Sequence, residues 1–95
     1  MRPQLNFSPA QVRAARGLLD LQASGLASLA RIELEAIELY EAGEGELSSD
    51  DLARLGAALY ASGVIAIPEK QAGEGVRFKS AFRGSGPLDI GGDFD

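Results

Sequence analysis

The sequence contains no cysteine and no histidine among its 95 residues. The missing thiols exclude disulfides and thiolate metal sites, and the missing imidazoles remove the commonest general base and metal ligand. No nucleophile is framed by glycines, and carboxylates on an exposed helix do not have the buried setting that separates their pKa values for acid–base work. We therefore expect neither an enzyme nor a protein that carries a metal or a cofactor.

Long apolar runs are missing as well. No run approaches the ~18 residues of a membrane span, and no basic segment followed by an apolar one indicates a secretory leader. With 45% hydrophobic and 24% charged residues, the composition is that of an ordinary folded protein. We therefore expect one small cytoplasmic domain built around a single core, with no membrane partner.

Positive charge is missing from the middle of the chain. Residues 33–53 sum to a charge of −8, whereas residues 1–32 sum to +3 and residues 54–95 sum to zero. Nucleic-acid-binding domains usually present a basic face, because neutralised phosphates supply most of their affinity. Only the first third of this chain has the excess of arginine that such a face needs. The carboxylates of the middle segment are Glu33, Glu35, Glu38, Glu41, Glu44, Glu46, Asp50 and Asp51.

Two helices are predicted in the first third of the chain, after an extended N-terminal arm over residues 1–7. Ser8 followed by Pro9 is typical of a helix start, with serine as the N-cap and proline at the first helical position. Apolar residues at helical spacing then predict a first helix over Pro9–Leu19 and a second over Ala23–Ala30. The apolar face of the second helix comprises Leu26, Ala27, Leu29 and Ala30.

Two further helices are predicted over Glu33–Ala42 and Asp50–Ser62. Gly43 ends the first of them and Gly63 is the expected C-cap of the second, because glycine readily adopts the left-handed conformation at which helices end. The side chains expected to face the core are Ile37, Tyr40, Leu52, Leu55 and Leu59.

The last third predicts a β-hairpin over residues 64–79. Val64–Ile67 is a β-branched run, and Val76–Lys79 alternates apolar and basic residues. Two interpretations are open, since an exposed edge of the hairpin favours a homodimer, whereas the hairpin would otherwise cover the core of its own domain. Residues 80–95 are rich in Gly and Asp and predict a flexible tail.

The framework of the four helices resembles a known family. Its positions follow one another without a gap: Leu21, Leu26-Ala27, Ala30, Ile32, Ile37, Tyr40, Glu41 and Gly43. Residues 59–69 and 75–79 then match the "AAGV-F-P" and "GPGVRL"-like segments of one subgroup. This order is similar to the Cro/lambda-repressor-like helix-turn-helix domain of the XRE type, over Ser8 to Gly63. The resemblance implies a mostly α fold, a four- to five-helix lambda-repressor-like domain at residues 8–63 that is followed by the hairpin and the tail.

The resemblance also implies where a transcriptional regulator of this type would contact operator DNA. The second helix of the family begins with a Gln that grips phosphate, where this chain has Ala23 preceded by Gln22. The tight turn before the third helix usually contains Gly and here contains Arg31, and the cap of that helix is usually Ser or Thr and here is Glu33. The base-reading positions correspond to Leu34, Glu35 and Leu39, with Glu38 nearby.

None of these side chains is a usual reader of guanine or adenine, for which Arg, Lys, Asn or Gln are typical. Arg16 and Glu41 fall where the family often has a partly buried ion pair between its first and third helices. Because the planar fork of Arg matches a carboxylate, we interpret this pair as structural and do not count Glu41 as part of the interface.

Two functional hypotheses follow. The first is a DNA-binding transcriptional regulator that acts as a dimer, with backbone contacts supplied by Arg13, Arg16, Arg31 or Arg54. The second is a helix-turn-helix remodelled for contact with a basic protein partner: an anti-repressor, an antitoxin-like partner or a DNA mimic. In the second, Leu34 and Leu39 form a small apolar patch rimmed by Glu33, Glu35 and Glu38. The glutamates also suit a third interpretation, a solvated helix face with no partner.

Overall fold

The computed structural model describes residues 6–68 and 73–80 of the chain. The described part is mostly helical, with four α-helices followed by one antiparallel β-hairpin. The predicted bounds of the first two helices are confirmed, and those of the next two differ by one residue at each end. No helix in residues 6–68 or 73–80 is long and apolar enough to cross a membrane. The elements are α1 Pro9–Leu19, α2 Ala23–Ala30, α3 Leu34–Glu41, α4 Ser49–Ala61, β1 Val64–Ile67 and β2 Gly75–Phe78.

Side-chain caps start α1 and α4 but not α2 and α3. The Ser8 hydroxyl accepts the backbone N–H of Gln11 at 3.2 Å, and the Gln11 side-chain oxygen accepts the Ser8 N–H at 2.9 Å, which completes a capping box. In α4 the Ser48 hydroxyl accepts the N–H of Asp51 at 3.0 Å. Gln22 and Glu33 precede α2 and α3 without a side-chain cap bond, so these two eight-residue helices depend on packing for their stability.

The core lies between the four helices and the hairpin. Two predictions about it are wrong. Phe7, which was expected in an extended arm, is only 2% exposed, and Leu29, which was expected to face inward, is 56% exposed. The buried apolar side chains are Phe7, Val12, Ala15, Leu26, Ala27, Ala30, Ile32, Ile37, Leu55, Leu59, Val64 and Ala66. The rest of the predicted arm, residues 1–5, lies outside the described residues.

Two predicted core residues, Leu52 and Tyr40, are half-buried rather than fully enclosed. The Tyr40 ring packs against the core, and its hydroxyl donates a hydrogen bond of 2.7 Å to the carbonyl oxygen of Phe7. Burial, with a smaller contribution from the Glu74 carboxylate, raises the pKa of Tyr40 above its usual value. The phenol therefore remains a hydrogen-bond donor, which holds the segment before α1 against α3.

One buried polar side chain, that of Gln11, ties α1 to the hairpin. It is 4% exposed, and its amide nitrogen donates to the carbonyl oxygens of Ile67 at 2.9 Å and Gly75 at 2.8 Å. These two residues are partners across the two strands. Since its side-chain oxygen accepts the Ser8 N–H, the buried amide is satisfied on both sides, as a polar group in a core must be.

The hairpin covers the core of its own domain. Val64 and Ala66 point inward and are buried, and Ile67 at the end of β1 is 37% exposed. The register pairs Val64 with Phe78 and Ile67 with Gly75. Of the two sequence-based interpretations, packing on the domain's own core is confirmed, and the homodimer through residues 64–79 stays a prediction.

The end of α4 differs slightly from the expectation. Ser62 is the C-cap with a helical backbone, and Gly63 follows it with a φ of +106°. The glycine therefore makes the turn from α4 into β1, one residue beyond the observed cap, whereas Gly63 itself was predicted as the C-cap. The predicted flexible tail begins at Ser80, and its residues 81–95 lie outside the described part of the chain.

Candidate interaction surface on helix α3

A tight turn of three residues, Arg31 to Glu33, directs α3 away from α2. Arg31 is the C-cap of α2 in the left-handed conformation, with a φ of 60°. Ile32 is 8% exposed and its N–H donates to the carbonyl oxygen of Ala27 at 3.0 Å. The turn is therefore fixed by the buried Ile32 side chain, by its backbone bond and by Arg54, which donates to the Arg31 carbonyl oxygen at 3.4 Å, while the side chains of Arg31 and Glu33 point to solvent.

The other end of α3 is fixed to α1 by the Arg16–Glu41 ion pair that the sequence led us to expect. The Nε atom of Arg16 lies 2.7 Å from one Glu41 carboxylate oxygen, and its Nη2 atom lies 2.7 Å from the other. This fork is largely buried, since the side chains are 25% and 8% exposed. The hydrogen bonds that Arg16 donates to the Glu41 carboxylate raise the pKa of the Arg16 guanidinium above its usual value.

The outward face of α3 carries glutamates flanked by leucines. Glu35 and Glu38 are exposed, and Leu34 and Leu39 are 39% and 40% exposed. At 3.6 residues per turn, two positions five residues apart point about 140° away from each other. The two leucines therefore border the glutamates on opposite sides and do not form the single apolar patch that was predicted.

Six of the eight carboxylates in this part of the chain form no ion pair with a described residue. Glu41 pairs with Arg16 and Asp51 with Arg54, both through short N–O contacts. All six others are exposed, which places their charge in solvent along α3, the loop that follows and the start of α4. The six are Glu33, Glu35, Glu38, Glu44, Glu46 and Asp50.

Three of the four arginines that were expected to contact DNA backbone are bonded within the domain. Arg13 donates to the carbonyl oxygen of Glu41, and Arg16 is held in the ion pair already described. Arg54 donates to the carbonyl oxygens that end α2, at 3.2 Å and 3.4 Å, and to Asp51. A cation at this position offsets the negative end of the helix. Among residues 6–68 and 73–80, Arg31 is the arginine whose guanidinium makes no hydrogen bond or ion pair with a described residue.

The predicted site residues do not all lie together. Arg31, Glu33 and Leu34 line one open depression of about 540 Å³, whereas Gln22 lines a smaller depression of about 260 Å³ beside Arg13 and Arg16. Ala23 is half-buried and packs on the core. The lining residues that were not predicted are Ser24, Ala27, Ser28, Ile32 and Asp51, and Arg54, which also lines it, was predicted only as a possible contact to DNA backbone. Of these, Ser24 and Ser28 had a signal in the sequence, since residues four apart share one face of a helix.

No protein-family model matches the chain, and a search of the curated proteins found no similar sequence. The functional inference therefore depends on the surface of α3 and on the depression beside it.

Proposed function

We propose that this chain is a helix-turn-helix domain of the Cro/lambda-repressor type that acts in gene regulation by docking α3 on a basic protein surface. The observation that carries the proposal is the negative charge of the six exposed carboxylates from Glu33 to Asp50, none of which forms an ion pair with a described residue. In this proposal α2 and α3 are the two helices of the motif, and the turn from Arg31 to Glu33 joins them. The resemblance to the family supports the fold assignment, and the electrostatics favour a basic partner.

The charge around α3 opposes binding to DNA. A nucleic-acid-binding surface gains affinity when lysines and arginines neutralise phosphates and release their counterions. Here the exposed carboxylates would instead repel the phosphates, and Arg13, Arg16 and Arg54 would have to leave their hydrogen bonds inside the domain. Arg31 alone cannot offset six negative charges.

The same surface fits a basic protein. Complementary charge speeds association and fixes the orientation of a complex. Partly exposed leucines supply apolar area at the centre or the rim of the interface. Leu34 and Leu39 lie on either side of Glu35 and Glu38, so a partner that covers all four would bury apolar surface on both flanks of a charged strip. An anti-repressor, an antitoxin-like partner and a DNA mimic are the roles that use such a contact.

Neutralising the charged strip is expected to abolish capture of the partner. In a pull-down from the native host read by mass spectrometry, Glu35→Gln/Glu38→Gln should lose the protein that the wild-type chain captures. The matched control is Ala10→Lys/Ala14→Lys, which changes the net charge by the same amount on the exposed face of α1 and should retain it. If both variants lose the partner equally, net charge and not the α3 surface is responsible, and the proposal is wrong.

Substituting the glutamates of α3 tests the proposed contact more specifically than substituting its leucines. Both leucines are more than half covered, and the Leu39 Cβ would lie only 3.0 Å from a methyl placed at Gly45. Replacing these leucines with serine would therefore also remove packing within the domain. Exposed glutamates in no ion pair are changed with little effect on stability, since such surface substitutions usually stay within about 0.5 kcal/mol.

Direct binding of operator DNA as a dimer is the second candidate, and the unpaired guanidinium of Arg31 beside α3 is the observation in its favour. We expect no binding of mixed genomic DNA fragments in a fluorescence anisotropy titration, even at low salt. A DNA-binding protein would instead lose affinity steeply as salt rises, with a log–log slope of roughly −0.9 per phosphate contacted. Such a slope, with α3 glutamine variants that bind more tightly, would establish the operator hypothesis in place of the protein contact.

A further inference from the structure

Arg31 has a backbone conformation that its side chain does not favour. Asp20 and Arg31 are the non-glycine residues with positive φ in the described part of the chain, at 54° and 60°. Aspartate tolerates the left-handed region because its short side chain can bond locally, whereas arginine has no such compensation. Glycine would end α2 with less strain. Strained positions of this kind concentrate at functional sites, so the guanidinium of Arg31 is a candidate functional group.

The guanidinium lies at an open depression with two hydroxyl groups. Arg31, Ser24 and Ser28 all line the depression of about 540 Å³ between α2, α3 and the start of α4. Both serines are exposed, stand one turn apart on α2, and have hydroxyls that make no hydrogen bond with a described residue. Arg and Ser side chains are the usual donors to phosphate and carboxylate oxygens.

Four charged residues line the depression, and the opposite charges of two of them cancel. Asp51 is paired with Arg54, whose guanidinium also binds the end of α2. Glu33 and Arg31 remain as the carboxylate and the guanidinium at the depression that form no ion pair with a described residue. The depression therefore suits one small anion, because a larger anionic surface would meet Glu33 and the glutamates of α3.

We propose that this depression binds a single oxyanion, phosphate or carboxylate, held by the guanidinium of Arg31 and the hydroxyls of Ser24 and Ser28. The inference does not depend on the partner of α3, because it concerns the free chain. It explains why an arginine occupies a turn position at which glycine would be less strained. The N-terminus of α3, which has no side-chain cap, opens beside the same depression and favours an anion there.

NMR titrations of the ¹⁵N-labelled chain test the site, with inorganic phosphate and acetate as separate probes and sodium chloride at matched ionic strength as the blank. We expect saturable shifts of the Arg31 side-chain and the Ser24 and Ser28 backbone signals. Arg31→Gly should weaken the fitted affinity by about tenfold or more, while its Tm rises by about 4–8 °C because glycine fits the left-handed turn. Arg31→Gly should thus bind the anion more weakly although its folded state is more stable, so the weaker binding cannot be attributed to a loss of stability. A response to phosphate but not to acetate would assign the site to phosphate.

A second variant and the signal of a second arginine serve as controls in these titrations. Ser24→Ala/Ser28→Ala should weaken binding with little change in Tm, because both side chains are exposed. Arg77 is the control signal, since it is an exposed arginine on β2, away from the depression. Equal, non-saturating shifts of Arg77 and Arg31 would show only general screening and would overturn the proposal, as would unchanged affinity in Arg31→Gly. The test is read in the free chain, so failure of the α3 contact does not alter its result.

Discussion

Replacing Phe7 with alanine is expected to lower the free energy of unfolding by about 3–5 kcal/mol, the usual cost of removing a buried phenyl ring from a core. The ring is 2% exposed and belongs to the central cluster of buried side chains. Its loss opens a cavity in this cluster, next to the Phe7 carbonyl oxygen that accepts the hydrogen bond of the Tyr40 hydroxyl. Urea unfolding followed by circular dichroism at 222 nm measures the change.

Phe78→Ala is the matched control for this prediction. Phe78 is half-buried at the end of β2 and packs on the edge of the same cluster. Its truncation should cost clearly less than that of Phe7, because less apolar area leaves the core. A loss below about 1 kcal/mol for Phe7→Ala would contradict the placement of this residue in the core.

The second large effect is expected from Arg16→Met, which removes the guanidinium but keeps an apolar stem. Glu41 would then hold a carboxylate that is 8% exposed without its ion-pair partner, and breaking a buried pair in this way typically costs about 3–5 kcal/mol. Arg16 is 25% exposed, so water reaches part of the site and we expect a loss of about 2–4 kcal/mol. The same urea titration provides the measurement.

Two further variants distinguish the ion pair from general packing. Arg16→Met/Glu41→Leu should recover most of the lost stability, because no charge is then buried alone. Asp51→Ala removes an ion pair that is much more exposed and should cost only about 0.5–1 kcal/mol. If the double variant is as unstable as Arg16→Met alone, the buried charge is not the cause of the loss.

The helices were predictable because their signals are local. Ser8 and Pro9 begin α1, apolar residues recur at helical spacing, and small or acidic residues start α4, so the bounds of α1 and α2 follow from neighbouring residues alone. The errors at the ends of α3 and α4 are of one residue. At the end of a helix, capping and packing interactions compete, so the terminal residue is easily assigned either to the helix or to the adjacent loop.

The parts of the fold that were missed depend on residues far apart in the chain. Phe7 is a lone aromatic before the first helix, and its burial follows only from where α3 and the hairpin lie. Gln11 has a polar side chain, and the two carbonyls that make it a core residue are 56 and 64 positions away. Leu29 has helical spacing with the core, yet it lies on the flank of α2 that no other described element covers.

The candidate site was predictable in its charge but not in its geometry. The sequence alone shows that the segment around α3 is acidic, and the structure adds that six of its carboxylates have no described ionic partner. Sequence spacing did not show that Arg13 and Arg54 bond to the backbone carbonyl oxygens of Glu41 and Ala30, because these acceptors lie on other helices. That Leu34 and Leu39 face apart follows from helical spacing alone and could have been predicted.

The amide of Gln11 has a consequence for how the chain folds as a whole. By bonding to Ile67 and Gly75, it joins the first helix to both strands of the hairpin at the end where these two residues pair. The position of the hairpin is thus tied to the first turn of α1. Any change that lengthens or shifts the strands must be matched by a change in the first turn of α1.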